Sequence, residues 1–499
     1  MVCLAEKKCK KGIIAGTVAA GVAVATAVDA IRAYKYTPEK KESVELEDEY
    51  VDLDKYIDDL SDAITFKTIS NRDPEQVDWQ EFERYHAFLR ERFPNIFTKL
   101  RVEDVSYASL MIYWEGSDPS LDPICLLGHQ DVVPVTDGTL DDWKYPPFGK
   151  NVAEGYIWGR GALDMKNHVI GVLEAVELLL KEGWQPVRGI YICLGHDEEI
   201  VAAKDSGASA MAALFKERGV HLDSIIDEGG AIIPATVKGV IDTNLVGIGI
   251  AEKGYADFEI SINAKGGHSS QPPVHSAVGQ LADVIKDIEG NQFKAEITPL
   301  VSELLDRICR RTTYPVRLVT VNLPLLKPAI LQVMKQIPMT ATFVRTTTAV
   351  TQASGSPQAN VLPQKASVVV NFRIMPGQTI ADVEKHLHKV IKNKDVEIKF
   401  LGGKEPSKVS PIDSKAFKTI EDIYNSMDDK NLVAPYLVMG GTDSYRYEGV
   451  CENIYRFSPY YVSTDLLLTI HGTNERIPTD IMADAVVFFK RYIKQLSKE

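Results

Sequence analysis

The six cysteines (Cys3, Cys9, Cys125, Cys193, Cys309, Cys451) include no C-x-x-C pair and are scattered along the chain, which excludes zinc ribbons and a regular disulfide framework. Cys125 and Cys193 fall in apolar runs of strand length and read as inert core thiols. No asparagine stands in an N-x-S/T sequon, which weighs against a heavily glycosylated secretory product. The chain is also short of positive charge: 56 Lys and Arg against 69 Asp and Glu leave a net −13. That balance opposes phosphate backbones and excludes nucleic acid as the expected partner. No short-period repeat and no low-complexity linker is present. Hydrophobic residues, at 45%, are ordinary for a globular protein, and 499 residues predict two to four domains with a sizeable core.

The N-terminus has a composition of its own. Lys7, Lys8, Lys10 and Lys11 precede an uncharged Ala/Val/Gly-rich run from Gly12 to Val28. Such a run is at the short end of a membrane-spanning helix, and its positive flank predicts a cytosolic N-terminus with the remainder across the membrane. The reading adopted is a signal anchor with linker over residues 1–45. Ala25-Thr26-Ala27 offers a signal-peptide cleavage site instead, and an Ala-rich helix packed on the core is the third reading.

From about Leu46 to Arg92 apolar residues recur at helical spacing, with Leu53, Tyr56, Ile57, Leu60 and Ile64 in one stripe, predicting an opening helix. Strand-length apolar runs follow at 124–127, 190–194 and 225–226, separated by helical patterns at 167–180 and 209–216. This alternation predicts an α/β fold, a mostly parallel sheet flanked by helices. Near Lys253 the pattern changes. A strand to Ala264, a helix at 275–288, strands at 345–351 and 366–374, a helix at 380–391 and a strand at 396–401 give the order βαββαβ, that of a compact, ferredoxin-like α+β domain. The expected organisation is a catalytic domain over 46–252 and 404–499, interrupted by an inserted domain over 253–403. Residues 291–344, with the apolar stretch 323–337, are surplus to that pattern.

In parallel sheets ligands gather beyond the carboxyl ends of the strands, and four acidic motifs stand there. Gly128-His129-Gln130-Asp131 puts an imidazole and a carboxylate two residues apart, side by side in extended chain, so Asp131 can fix the tautomer of His129. Gly159 to Lys166 carries Asp164 on a Gly-rich turn before a helix, Gly195-His196-Asp197-Glu198-Glu199 supplies adjacent acids, and Asp227-Glu228-Gly229-Gly230 supplies two more. One acid after a strand is ordinarily a helix cap. Four such groups at one sheet edge repel unless a cation compensates, and imidazoles among them favour zinc over magnesium or calcium.

These motifs, with Gly266-Gly267-His268-Ser269-Ser270, Asn371-Phe372-Arg373 before Pro376-Gly377, and Ile470-His471-Gly472, resemble the co-catalytic zinc aminoacylase and carboxypeptidase family. Within it the chain is most similar to the branch of vacuolar carboxypeptidase S and the N-fatty-acyl-amino-acid synthase/hydrolase. The resemblance runs from about residue 48 to the C-terminus. It implies two Zn2+ per chain, with Asp164 bridging, His129 and Asp227 completing one ion, and Glu199 and His471 the other. It makes Glu198 the general base and Asp131 the partner that orients His129. It implies that His268 reaches the active site of a partner subunit in a homodimer, and that the inserted domain is a lid and dimerisation unit. Arg373 suits a bidentate grip on a substrate carboxylate, and Asn360, Gly441 and Thr442 resemble substrate-contacting positions. Gln130 is read as a spacer, and His86, His386 and His388 as surface residues.

The expected activity is hydrolysis of the amide that joins a C-terminal residue to a small peptide, or an acyl group to an amino acid. The stretch 323–337 could favour lipophilic acyl chains. Competing readings are a strict dipeptidase and a catalytically silent, membrane-anchored binding protein. The expected location is a single-pass membrane protein with its catalytic domain lumenal, vacuolar or extracellular, or a secreted protein if the leader is cleaved.

Overall fold

The computed structural model describes residues 27–38, 46–200 and 206–498. Apart from its last two residues, the Gly12–Val28 run lies outside them, and so does the anchor reading that rests on it. Among the described residues no single helix is long and apolar enough to cross a membrane.

Strands Ile124–His129, Ile190–Gly195 and Ser224–Asp227 are buried along their whole length, as strands covered on both faces must be. Together with Ile454–Arg456 they form the parallel centre of a nine-stranded sheet. Antiparallel strands Arg101–Val105 and Ser109–Trp114 extend one side. Ile241–Glu252, with Ile232–Val237 and Asn431–Val438, extends the other. One face carries helix Lys166–Lys181, sandwiched between the sheet and helices Leu53–Ala63 and Met482–Leu496 in one apolar core. The opposite face carries Gly207–Glu217 in a second. The chain is therefore α/β with a mostly parallel central sheet.

The opening helix is interrupted. Leu53–Ala63 is capped by Asp52, and a second helix, Trp79–Arg92, is capped by Asp78, with Pro74 between them. The apolar stripe holds to Leu60, but beyond Ile64 the chain runs extended beside the first acidic motif, where Val132 N donates to Thr68 O (2.9 Å) and Thr68 Oγ1 to Gln130 O (2.6 Å).

A separate four-stranded antiparallel sheet, in the order Thr347–Ser354, Lys365–Ile374, Gly254–Asn263, Val396–Lys404, packs helices Ala277–Gly290 and Ile380–Val390 around its own core. Of the surplus segment 291–344, Phe293 joins that core. The segment's helix Pro299–Arg311 lies on 431–438, the last strand of the central sheet. There Arg307 donates to Val433 O (3.1 Å) and Arg311 to Asn431 O (2.9 Å). An exposed strand edge is thereby covered.

The crossing between the two sheets is clamped by Glu252, the last residue of its strand. Its buried carboxylate accepts from Lys404 Nζ (2.5 Å), Arg456 Nε (2.9 Å) and Thr442 Oγ1 (2.9 Å). Burial raises its pKa, but Arg456 and Lys404 outweigh that and hold it at about 2. With a folded pKa below the 4.5 of a free glutamate, the ionised clamp contributes stability above about pH 4.5 that is lost as pH falls toward 2. Glu252→Gln should lower unfolding stability at pH 7 by about 3 kcal/mol, because Arg456 is left buried and uncompensated. In urea melts the deficit should shrink on acidification; a constant deficit across pH would contradict the ionic clamp.

Candidate metal centre

His129 ends the 124–129 strand and is buried. Its Nδ1 lies 3.0 Å from Asp131 O and 3.3 Å from Asp131 Oδ1. That pairing places a proton on Nδ1 and turns Nε2 toward Asp164 Oδ1 (3.1 Å) and Glu228 Oε1 (3.3 Å). Asp131 does more than orient the ring. Its Oδ1 accepts from Glu198 N and its Oδ2 from Glu199 N, each at 3.2 Å, and Ser70 Oγ donates to it as well. One buried carboxylate therefore fixes both an imidazole and the backbone that presents two further acids.

Asp164 is shared. Its Oδ1 faces His129 Nε2 and its Oδ2 faces His471 Nε2, both at 3.1 Å, and His471 Nε2 also lies 3.1 Å from Glu199 Oε2. His471 is a non-glycine residue at φ +61°, a conformation that aims the ring at the cost of some backbone strain. The Asp164 turn is held from beneath by Glu475. That buried carboxylate accepts from Gly161 N (3.0 Å), Leu163 N (2.9 Å), Asp164 N (3.2 Å) and Arg160 Nη1 (2.6 Å). Sequence reasoning missed Glu475, whose only signal is its position four residues after His471.

Among the described residues, two groups of ligand atoms lie close enough to hold a cation: His129 with Glu198 and Glu228, and His129 with Asp164 and Glu199. Asp227 belongs to neither. It is the last residue of its strand and shares the face of Ile225, against which helix Asp443–Tyr447 packs. Its oxygens accept from Ser444 N (3.0 Å) and Glu228 N (2.9 Å). The longer side chain of Glu228 reaches His129 in its place.

The electrostatics are those of crowded acids. Burial, reinforced by Glu228, Asp443 and Glu199, pushes Glu198 well above the usual carboxyl range; burial and Asp164 do the same to Glu228. Asp443 rises to about 8 through burial, with Asp197 and Asp227 adding to it. Asp164 goes the other way, because His129 and His471 outweigh its burial. Hydrogen bonds from His471 to Asp164 and Glu199 raise that imidazole to about 10. Crowded carboxylates beside imidazoles are compensated by a divalent cation, and mixed nitrogen and carboxylate donors fit zinc.

The remaining expected residues are dispersed. His268 is exposed on the two-residue strand Gly267–His268, where its Nδ1 accepts from Ser270 N (3.1 Å). Asn360 lies beside it, accepting from Ser269 N (3.0 Å). Arg373 is exposed on 365–374 with its guanidinium 5.0 Å from the Tyr255 ring. Thr442 is buried on Glu252, and a Cβ on Gly441 would meet Lys404 Nζ at 2.4 Å. Thr442 also hydrogen-bonds Asp227; no contact of the other four with the acidic group is found among the described residues. Gln130 is no mere spacer: its buried amide donates to Ala108 O (2.9 Å), Leu194 O (3.1 Å) and Gly195 O (3.2 Å), tying together the strand ends that carry the site. Its Oε1 meets the half-buried His86 at 2.8 Å, and His386 stacks on Phe293 at 3.9 Å, so neither histidine is a bare surface residue.

The profile of peptidase family M20/M25/M40 matches residues 125–495. A probable carboxypeptidase S-like protein 2 of Dictyostelium discoideum is 35% identical over 443 residues, 88% of this chain and 84% of that one. An N-fatty-acyl-amino acid synthase/hydrolase of Xenopus tropicalis is 33% identical over 446 residues, covering 88% and 85%. Carboxypeptidase S of Saccharomyces cerevisiae is 32% identical over 496 residues, covering 89% and 84%. Among solved structures, a metallo-carboxypeptidase of Sulfolobus solfataricus has the same fold, with a TM-score of 0.61 at 19% identity over 87% of this chain and 97% of that one.

The geometry separates two neighbours that sequence cannot. Glu228→Ala should reduce tightly bound divalent metal, measured by plasma mass spectrometry after loading and gel filtration, while Asp227→Asn should retain it. Metal loss confined to Asp227→Asn would restore Asp227 as the ligand.

Proposed function

Because the chain belongs to peptidase family M20/M25/M40 and is an enzyme of the metallo-carboxypeptidase and aminoacylase type, we propose that it is a di-zinc amidohydrolase acting on small peptides with a free C-terminus or on N-acyl amino acids. The observation that carries this reading is the Asp164 carboxylate facing His129 with one oxygen and His471 with the other. His129 and Glu228 would hold one zinc, His471 and Glu199 the other, with Asp164 common to both. When bound, the zinc pair supplies Lewis-acid polarisation of the scissile carbonyl and lowers the pKa of water at the site. Glu198 accepts the proton from the attacking water at its carboxylate and delivers it to the leaving amine. Its place beside His129 and Glu228 suits both transfers. Asp131 keeps Glu198 and Glu199 in register through their backbone amides.

Both substrate classes present an amide with a carboxylate on the amine side. Arg373 is the residue proposed to bind that carboxylate, with Asn360, Gly441 and Thr442 completing the substrate surface. His268 would stabilise the tetrahedral oxyanion in the site of a second subunit of a homodimer. Relatives named carboxypeptidase S and N-fatty-acyl-amino acid synthase/hydrolase support the two classes equally. A signal anchor within residues 1–45 would place the catalytic domain in a lumen or outside the cell, and cleavage there would release it.

Glu198→Gln should keep its metal while turnover falls by about a thousandfold or more, the scale of losing a general base with its electrostatic help. Full activity would falsify the assignment. For the subunit crossing, Glu198→Gln and His268→Ala chains, each nearly inactive alone, are coexpressed in equal amounts. Half the dimers are then mixed, each with one complete site, so roughly a quarter of wild-type activity should return. Mixed dimers without recovery would confine His268 to its own chain. Turnover on N-acyl amino acids of varied chain length, beside C-terminal dipeptides, decides the substrate class.

A further inference from the structure

The short helix Asp443–Tyr447 lies against the strands that end in His129 and Asp227. Its first two residues face the acidic group. A Cβ on Gly195, which pairs with His129, would meet Asp443 Oδ2 at 2.7 Å, and Ser444 N donates to Asp227 Oδ2 (3.0 Å). The next residue, Tyr445, is half-buried.

Two cations fix the Tyr445 ring. Lys404 Nζ lies 4.1 Å and the Arg446 guanidinium 4.9 Å from its centroid, contacts that hold an aromatic ring by its electron-rich faces. Both cations are themselves anchored, Lys404 on Glu252 Oε2 (2.5 Å) and Arg446 through Nη1 on Ser209 Oγ (2.7 Å). Because Lys404 closes strand Val396–Lys404 of the second sheet, the ring stands at the seam between the two domains, beside the acidic group.

With the ring clamped, the hydroxyl is what this residue presents to a ligand. It has no hydrogen-bond partner among the described residues. Burial raises the phenol's pKa, Arg446 opposes that, and the charges of Asp443, Glu252 and Glu198 add to it. The phenol therefore stays protonated at neutral pH, with Glu198 close enough to act on it.

A neutral donor is the kind that stays available in this setting. An ammonium or guanidinium among so many acids is drawn into an ion pair, as Lys404 is by Glu252 and Arg446 by Asp443 (3.7 Å). A phenol keeps its hydrogen bond for a ligand.

On the amidohydrolase reading above, on which this inference rests, we propose that Tyr445 is a catalytic residue of its own chain, its hydroxyl donating a hydrogen bond to the scissile carbonyl oxygen of the bound substrate. That oxygen gains negative charge as water attacks, so the bond is stronger in the transition state than in the ground state. No proton leaves the phenol; the one taken from water goes to Glu198 and on to the leaving amine. Tyr445 supplies from within the chain a donor that complements His268 from a second subunit.

Tyr445→Phe tests this, because it keeps the ring and both cation contacts and removes only the hydroxyl. Steady-state kinetics of wild type and variant are measured on N-acyl amino acids and C-terminal dipeptides, together with metal content and Tm. In the variant kcat should fall about a hundredfold, the scale of losing one oxyanion donor, with KM changed by no more than about twofold. Metal content and Tm should match wild type. An unchanged kcat, a loss expressed only in KM, or a fall in kcat that accompanies lost metal or a lowered Tm would each overturn the proposal while leaving the amidohydrolase reading in place. Wild-type protein inactive on both substrate classes would overturn that reading and the proposal with it.

Discussion

At Asp164 two imidazoles meet one carboxylate, an oxygen each, within a ring of further acids formed by Asp131, Glu198, Glu199, Glu228 and Asp443. Most of the surrounding structure serves to keep those like charges from separating. Glu475 grips the backbone of the Asp164 turn, Asp131 grips the amides of Glu198 and Glu199, and Gln130 ties the strand ends to one another. Such a concentration of carboxylates persists only with compensating positive charge, supplied here by two imidazoles and, in the functional reading, by two divalent cations.

Where the chain had one repeating signal, the sequence was sufficient. Continuous apolar runs marked the parallel strands because both of their faces are covered, and the order βαββαβ marked the second sheet. The opening helix misled because apolar residues at helical spacing run on to Ile64, while the chain breaks before Pro74 and the cap at Asp78 starts a second helix. The segment 291–344 looked surplus because its partner, the sheet edge at 431–438, lies about a hundred residues away in sequence.

Most of the proposed ligands were legible as acids and histidines at strand ends. The orientation of Asp227 was not, since it depends on a long-range hydrogen bond from Ser444 that no local pattern announces. Glu475 and Gln130 escaped for a related reason: both act on backbone groups of other segments, and backbone groups leave no trace in a motif. His268 and Asn360 are neighbours at a short exposed pairing of strands 267–268 and 361–362, a proximity that sequence separation hides.

The central claim is a pair of metal ions sharing Asp164. Anomalous diffraction from crystals of the zinc-loaded protein, recorded above and below the zinc edge, tests it directly. The account predicts two peaks on either side of the Asp164 carboxylate, one bound by His129 and Glu228, the other by His471 and Glu199. A single peak, or a pair in which Asp227 rather than Glu228 is the ligand, would contradict it.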